Sequence, residues 1–342
     1  MVFQTVEYDP MCDKDNPQKI TFEDVSAAVF RIQSGIVKTP CIKSHMSLIY
    51  GMDIYLKNDF LQHTGRYDHP HIMAGQGTVG LEILEQVPDV DAVLVPVGGG
   101  GLLAGVVTAI KHLKPEVLIY GIESEKCPSM KCALQNEKPV SVEIRSTLAD
   151  GLAVPTVGYN AYVTTQETMD KMITVNEDWI ARAILHLAEQ EKYVVEGGGA
   201  VGVAAIMAGL VPELAGKKVV CILSGGNIDT TILGRCLERG LAAEQRLVKF
   251  KVTVSDRPGG IAELCKLIAS IGVSIKDIMQ ERAWVFGDIF SVRVKVVCET
   301  RGPEHLDQLR SLIASSYREW YFAREWDDYR RPSTNSLDDA SH

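Results

Sequence analysis

The chain contains 342 residues, enough for two or three compact domains with substantial cores. Its composition, 46% hydrophobic and 23% charged, is typical of folded globular proteins and argues against a disordered or fibrous class. A formal net charge of −9, without any dense run of Lys and Arg, argues against nucleic acid as a partner. The most apolar stretch, residues 200–212, is too short and too glycine-rich to span a bilayer, so no membrane role is expected.

The first predicted element is a helix from Thr21 to about Ser34, with Thr21 as its N-cap. A strand follows at Asp53–Asp59, where apolar and polar residues alternate. Three strand-like apolar runs then alternate with helix-like segments, at residues 91–97, 117–123 and 217–224. This alternation predicts an α/β domain with a mainly parallel sheet.

The pattern changes at about Arg246, where a second domain is predicted. From there the order is strand, helix, strand, strand, helix, with a final strand near Trp320–Trp326. That order predicts an α+β ferredoxin-like module. The polar tail, residues 329–342, is expected to be disordered.

Glycine clusters follow two of the predicted strands, Gly98–Gly101 after Val97 and Gly225–Gly226 after Ser224. Open α/β sheets bind their ligands at this end of their strands. At the first cluster, bare N–H groups and the positive end of a helix converge, which favours a phosphate ligand. A tight turn without a ligand is the alternative interpretation.

A dinucleotide site is a second alternative, because Gly99, Gly101 and Ala104 have the spacing of the NAD-binding fingerprint. Glu123 ends the following strand at a distance suited to a ribose contact. On this hypothesis the chain would be an oxidoreductase. The motif alone does not distinguish a phosphate ligand from a dinucleotide.

The wider pattern resembles the fold-type-II pyridoxal-phosphate (PLP) enzymes, above all the threonine dehydratases, with serine dehydratase and serine racemase as relatives. The motifs that carry the resemblance occur in the family's order between Thr21 and about Gln245: YLKNDFLQHTG, YDHPHIMAGQGT, VPVGGGGLLAG, STLADG, VVEGGGAVGVAA and ILSGGNID. The resemblance implies a tryptophan-synthase-β-like fold with PLP as cofactor.

The resemblance also implies a set of cofactor-binding residues. The phosphate would be bound by Gly98, Gly99, Gly100, Gly101 and the amide of Leu102, and the residue opposite the pyridine nitrogen would be Ser224. A serine hydroxyl can bind the ring nitrogen without fully protonating it. Helix capping is the alternative role for Ser224. Glu196 lies in a loop that approaches the cofactor in relatives, although a buried structural glutamate is equally consistent with the sequence.

One family feature is missing. In relatives the QHTG motif continues into Ser-Phe-Lys, whose lysine forms the Schiff base with PLP, and later into a Ser-Gly-Asn-His loop. Here Arg66 follows Gly65 and neither motif occurs, so roughly a hundred residues, most of a small domain, are absent. No catalytic residue is therefore assigned, and PLP would bind non-covalently at best. Lys57 is the nearest lysine, but it lies in the preceding strand.

The deletion predicts that the strand at Asp53–Asp59 has lost its sheet partners, leaving an unpaired edge and an uncovered apolar face. The expected domains are the N-terminal segment with the remnant of the small domain (1–66), the large PLP domain (67–245), an ACT-like regulatory domain (246–328) and the tail (329–342).

The family activity is the deamination of threonine to 2-oxobutanoate and of serine to pyruvate, through loss of water and then of ammonia. Without the lysine this chain is predicted to be inactive or severely impaired. The alternative is a non-catalytic amino-acid-binding regulator, as a homo-oligomer or paired with intact subunits of the family. The ACT-like module would bind an effector, such as a branched-chain amino acid, near Asp256, Pro258, Gly259 and Gly260.

Two further expectations concern metals and location. His63, His69 and His71 lack metal-ligand spacing and Glu123 has no obvious partner, so no metal is expected. The first twenty residues lack the apolar run of a secretory signal. The predicted compartment is the cytoplasm, with organelle targeting left open.

Overall fold

The computed structural model describes residues 9–32, 34–61, 68–282 and 289–323. The chain divides into two compact units, Met1–Leu237 and Glu238–His342. The predictions made for His63, for the junction at Gly65 and Arg66, and for the tail after residue 328 lie outside the described residues.

The secondary structure comprises helices and strands in regular alternation over most of the described chain. The helices are α1 (Phe22–Ile32), α2 (Ser47–Tyr50), α3 (Pro70–Gln86), α4 (Gly101–Leu113), α5 (Ser129–Gln135), α6 (Tyr159–Thr165), α7 (Glu177–His186), α8 (Gly197–Met207), α9 (Thr230–Ala243), α10 (Gly260–Ser270) and α11 (Pro303–Ser316). The strands are β1 (Cys41–Lys43), β2 (Asp53–Lys57), β3 (Ala92–Pro96), β4 (Leu118–Ser124), β5 (Lys171–Val175), β6 (Lys218–Ile222), β7 (Leu247–Ser255), β8 (Ser274–Glu281), β9 (Ser291–Glu299) and β10 (Trp320–Phe322).

The first unit is built on a six-stranded sheet in the order β1-β2-β6-β3-β4-β5. All its strand pairs are parallel except β1 with β2. Strand β3 is buried on both faces, because Leu94 packs in the core with α7 and α8 while Val93 and Val95 pack in the core with α3 and α4. Two-sided burial explains why such strands read as continuous apolar runs. The α/β prediction is confirmed.

Helix α1 begins as the sequence indicates. The N–H of Asp24 donates to Thr21 Oγ1 at 3.3 Å, and Asp24 Oδ2 accepts from the N–H of Thr21 at 2.8 Å. This reciprocal pair satisfies donors that the first turn of a helix leaves without intrahelical partners. The prediction of Thr21 as the cap is confirmed.

The prediction of an unpaired edge at Asp53–Asp59 is wrong. Strand β2 pairs with β6 on one side and with β1 on the other. Its apolar face is covered as well, since Ile54 and Leu56 are fully buried in the core that includes α8. The strand therefore belongs to the large sheet.

The second unit contains a four-stranded antiparallel sheet in the order β10-β7-β9-β8. Helices α10 and α11 cover one face, where Phe250 of β7 packs in a core with Leu264 and Leu309. Strand β7 alternates buried and more exposed residues, as a sheet with one covered face requires. The ferredoxin-like order is confirmed, and the division between the two compact units falls within α9, at residues 237 and 238.

Two further findings concern the described residues alone. None of their helices is long and apolar enough to cross a membrane. Within the same ranges, no group of three or more His, Cys, Asp and Glu residues has a metal-binding arrangement.

Candidate functional site

The glycine loop, Gly98–Gly101, connects β3 to α4 and is buried throughout. Gly100 adopts a left-handed φ of +91°, and a Cβ at this position would lie 3.0 Å from Ala161 Cβ and from Met130 Cε. A Cβ on Gly98 would lie 3.1 Å from the Cα of Leu152. Both positions therefore require glycine, for space at each and also for backbone conformation at Gly100.

The loop also presents hydrogen-bond donors. Helix α4 has 13 residues, and its first N–H groups, including those of Gly101 and Leu102, have no intrahelical acceptor. The helix dipole adds positive potential at the same end. The N–H of Gly158 donates to the carbonyl of Gly99 at 2.9 Å and so holds the loop in place. A buried cradle of N–H groups without side chains fits a phosphate group.

The second glycine cluster lies at the same edge of the sheet. Ser224 follows β6, and the N–H of Leu223 donates to the carbonyl of Lys57 at 2.9 Å. Ser224 does not cap the next helix, because Asp229 accepts from the N–H groups of Thr231 and Ile232 at 2.8 and 3.2 Å. Asp229, and not Ser224, is therefore the N-cap of α9.

Glu196 connects the two glycine clusters. Its N–H donates to the carbonyl of Gly225 at 3.0 Å, and its carboxylate occupies the space that a Cβ on Gly225 or Gly151 would need. Leu152, next to Gly151, contacts Gly98. Burial, and then the charge of Asp150, raise the pKa of Glu196. The structure thus places the glycine loop, Glu196 and the segment after β6 near one another.

Glu123 is used differently from the dinucleotide hypothesis. The side chain is fully buried, and its carboxylate accepts hydrogen bonds from the N–H groups of Met130 and Lys131, both at 3.1 Å. Burial raises the pKa of Glu123 to about 7, against the two N–H bonds and the charge of Lys131, which lower it. The carboxylate is therefore occupied in holding α5, where a ribose contact would need it free.

Lys57 is fully buried, and its ammonium group donates to Thr39 O at 2.6 Å and forms a close ion pair with Glu82 of α3. Gln86 Oε1 lies 3.4 Å from the same nitrogen. The cation is thus neutralised between β2 and α3. It is not presented as a free amine.

Two carboxylates at the site were missed by sequence reasoning. Asp68 accepts from the N–H groups of Tyr159 and Ala161, both at 3.1 Å, and so caps α6 beside the glycine loop. Burial raises its pKa. Glu177 accepts from the N–H of Leu148 at 2.6 Å and anchors the segment that leads to Leu152. All three hydrogen bonds join residues that are distant in sequence, so no local sequence pattern predicts them.

Comparisons with known proteins agree with this geometry. Residues 66–225 match the family model described as pyridoxal-phosphate dependent enzyme, which covers the glycine loop, Glu196 and Ser224. This part of the chain, slightly less than half of it, is similar to that family. Its members depend on PLP, and the phosphate cradle at Gly98–Gly101 fits that cofactor.

Similar proteins carry narrower names. The chain is 42% identical to an L-threonine ammonia-lyase of Thermotoga maritima, over 73% of this chain and 62% of the relative. It is 44% identical to an L-threonine ammonia-lyase of Geobacter sulfurreducens, over 72% of this chain and 61% of the relative. The chain therefore spans less than two thirds of either relative. A crystal structure of a threonine deaminase from T.th. aligns with a TM-score of 0.58 and 29% identity, over 61% of this chain and 98% of that one.

Substituting Gly100 by Glu is expected to abolish PLP binding, because the new side chain would begin against Ala161 and Met130 and bring a negative charge to an anion site. Gly209 offers a matched control, since it also has a positive φ, +66°, but open space around it. Gly209→Glu should bind like the wild type in equilibrium dialysis with PLP. Unchanged binding by Gly100→Glu would mean that the cofactor binds elsewhere.

Proposed function

We propose that this chain is a homologue of the threonine/serine ammonia-lyases that binds PLP reversibly but does not by itself deaminate threonine or serine. The observation that carries the proposal is the combination of an intact phosphate cradle with a missing lysine. Arg66 follows Gly65 directly where the resemblance implies Ser-Phe-Lys. The names of the relatives support threonine as the amino acid that relates to this site.

Binding of the cofactor would be divided among residues of this chain. The amides of Gly98–Gly101 and Leu102 would bind the phosphate, and the resemblance assigns Ser224 to the pyridine nitrogen. Glu196 would lie beside both and hold the loop after β6 through Gly225. When bound, PLP supplies an electron sink for bonds at the α-carbon of an amino acid. The residues present can bind and orient that group.

What this chain lacks is a group to attach the cofactor and to remove the α-proton. In the family one lysine does both, so its loss affects several steps. Lys57 is a poor replacement because its ammonium group is buried in the pair with Glu82. Removing one partner of a buried ion pair typically costs about 3–5 kcal/mol, because the other charge stays buried. To attach the cofactor, Lys57 would have to leave Glu82 buried without its partner.

The segment that relatives carry after the QHTG motif is, in this proposal, deleted. The deletion leaves the large sheet complete, since β2 keeps both neighbours. The structural consequence is therefore confined to the substrate side of the site, which would have lost its second wall. An intact family subunit, or a second copy of this chain, is the partner proposed to supply it.

The second unit is proposed to be an ACT-like regulatory module that binds an amino acid. Its support is the ferredoxin-like order together with the turn at Pro258–Gly260 before α10. Gly259 has a φ of +96°, and a Cβ on Gly260 would clash with the carbonyl of Ser255. The carboxylate of Asp256, close to this turn in sequence, forms an ion pair with Arg282 at 2.8 Å, which partly neutralises its charge. Repulsion of an incoming carboxylate by Asp256 is thereby reduced.

The purified chain with added PLP is expected to form no 2-oxobutanoate or pyruvate at an enzyme-like rate. Loss of a general base alone typically costs a factor of about 10²–10⁴ in rate, and loss of covalent attachment deepens the defect. The control restores the family's missing segment after Gly65, and this version should turn over. Robust turnover by the short chain would contradict the proposal, and saturable NAD binding in place of PLP binding would favour the oxidoreductase alternative.

Calorimetric titration of the full chain with isoleucine, valine, threonine and serine should give saturable heat with at least one of them. Gly260→Ala should remove that heat, since the new Cβ meets the Ser255 carbonyl. Gly234→Ala is the matched control, because it adds the same methyl group where nothing lies within 4 Å. No heat with any of the four amino acids would defeat the sensing role and leave the fold assignment intact.

A further inference from the structure

The position of the glycine loop depends on the neighbouring short helix α5. Gly100 is wedged between Met130 of α5 and Ala161 of α6, each with an atom 3.0 Å from where a Cβ would be. Met130 is fully buried, so it has little freedom to move away. A shift of α5 would therefore change the support of Gly100, and with it the orientation of the N–H groups that face the phosphate.

Helix α5 is itself held by one buried carboxylate. It has seven residues, a length at which an isolated helix is not stable in water. Its N-cap residue, Pro128, provides no side-chain hydrogen bond. Glu123 compensates from the end of β4, because its two oxygens accept the N–H groups of Met130 and Lys131, one each, at 3.1 Å. The contacts thus run from Glu123 through Met130 to Gly100.

We propose that Glu123 is a positioning residue for phosphate binding, which fixes Met130 against Gly100 and keeps the glycine loop in its binding conformation. The inference rests on the proposed function, because it concerns the same cofactor site. It goes beyond that function by making cofactor affinity depend on the ionisation of a side chain that does not touch the cofactor.

The direction of the dependence follows from the hydrogen bonds. An ionised Glu123 accepts both N–H groups, whereas a protonated carboxyl group turns one oxygen into a donor and loses one of them. The charged or titratable groups that face Glu123 are Lys131 and Cys127, and its partner on β5 is the uncharged Thr174. Burial raises the pKa of Glu123 to about 7. Affinity should therefore be high above pH 7 and fall as the pH drops through that value.

The test measures the dissociation constant of PLP by equilibrium dialysis at pH 8.5 and pH 5.5, for the wild type and Glu123→Gln. Loss of a hydrogen bond to a charged group predicts that the variant binds about ten-fold more weakly at pH 8.5. At pH 5.5 the two proteins should agree within about two-fold, because Glu123 is then protonated. Titration of the PLP phosphate and of other carboxylates affects both proteins and cancels in the ratio. Glu125→Gln, an exposed neighbour, should follow the wild type.

A second variant tests whether the effect passes through Met130 to Gly100. It also covers the case in which Glu123→Gln does not fold. Met130→Ala should weaken PLP binding about ten-fold at pH 8.5 by removing the support of Gly100, and Met130→Leu should restore most of it. Equal affinities of wild type and either weakening variant at both pH values would overturn the inference alone. Failure of the wild type to bind PLP at pH 8.5 would overturn the proposed function and the inference with it.

Discussion

The close approach of bare backbone at the carboxyl edge of the sheet is the constraint on which the rest of the site depends. Gly98 contacts the backbone of Leu152, and Gly100 contacts Met130 and Ala161, so three different segments pack against two of the loop's glycines. The first N–H groups of α4 follow directly after this loop and have no intrahelical acceptor. All three of these contacts come from residues 130–161, which follow the loop in sequence.

Buried charge is distributed around this cradle in a consistent way. Glu123, Asp68 and Glu177 each accept backbone N–H groups of a segment that contacts the glycine loop. Their negative charge is thus directed at backbone donors and does not oppose an anionic ligand directly. Lys57, in contrast, pairs with Glu82 and holds β2 to α3. Lys57 is therefore part of the scaffold that holds the sheet to its helices.

The sequence predicted the central strands well and their neighbours poorly. Strands β3, β4 and β6 are continuous apolar runs because both faces are buried, and that signal is local. Strand β1 has only three residues and one pairing partner, so its sequence carries almost no pattern. The prediction that β2 had lost its sheet partners failed for a different reason. Which strand lies beside it is decided by the sheet order, and periodicity along one strand contains no information about that order.

The site residues also divide into those with a local sequence signal and those without one. Gly98–Gly101, Glu196 and Ser224 could be named from motifs, because loop chemistry at strand ends is local. The partners of Glu123, Asp68 and Lys57 could not, because each bond joins an element to another that only the tertiary fold brings near. Glu123 illustrates the limit, since its spacing from the glycine loop favoured a ribose contact while its carboxylate holds α5.

The most direct test of the account is the attachment of the cofactor. The chain is incubated with PLP, reduced with borohydride or left unreduced, dialysed, and digested for peptide mass spectrometry. The account predicts that PLP is removed by dialysis and that reduction leaves no lysine labelled stoichiometrically. A stoichiometric label on one lysine, at Lys57 above all, would show that the chain has a covalent anchor after all and would contradict the account.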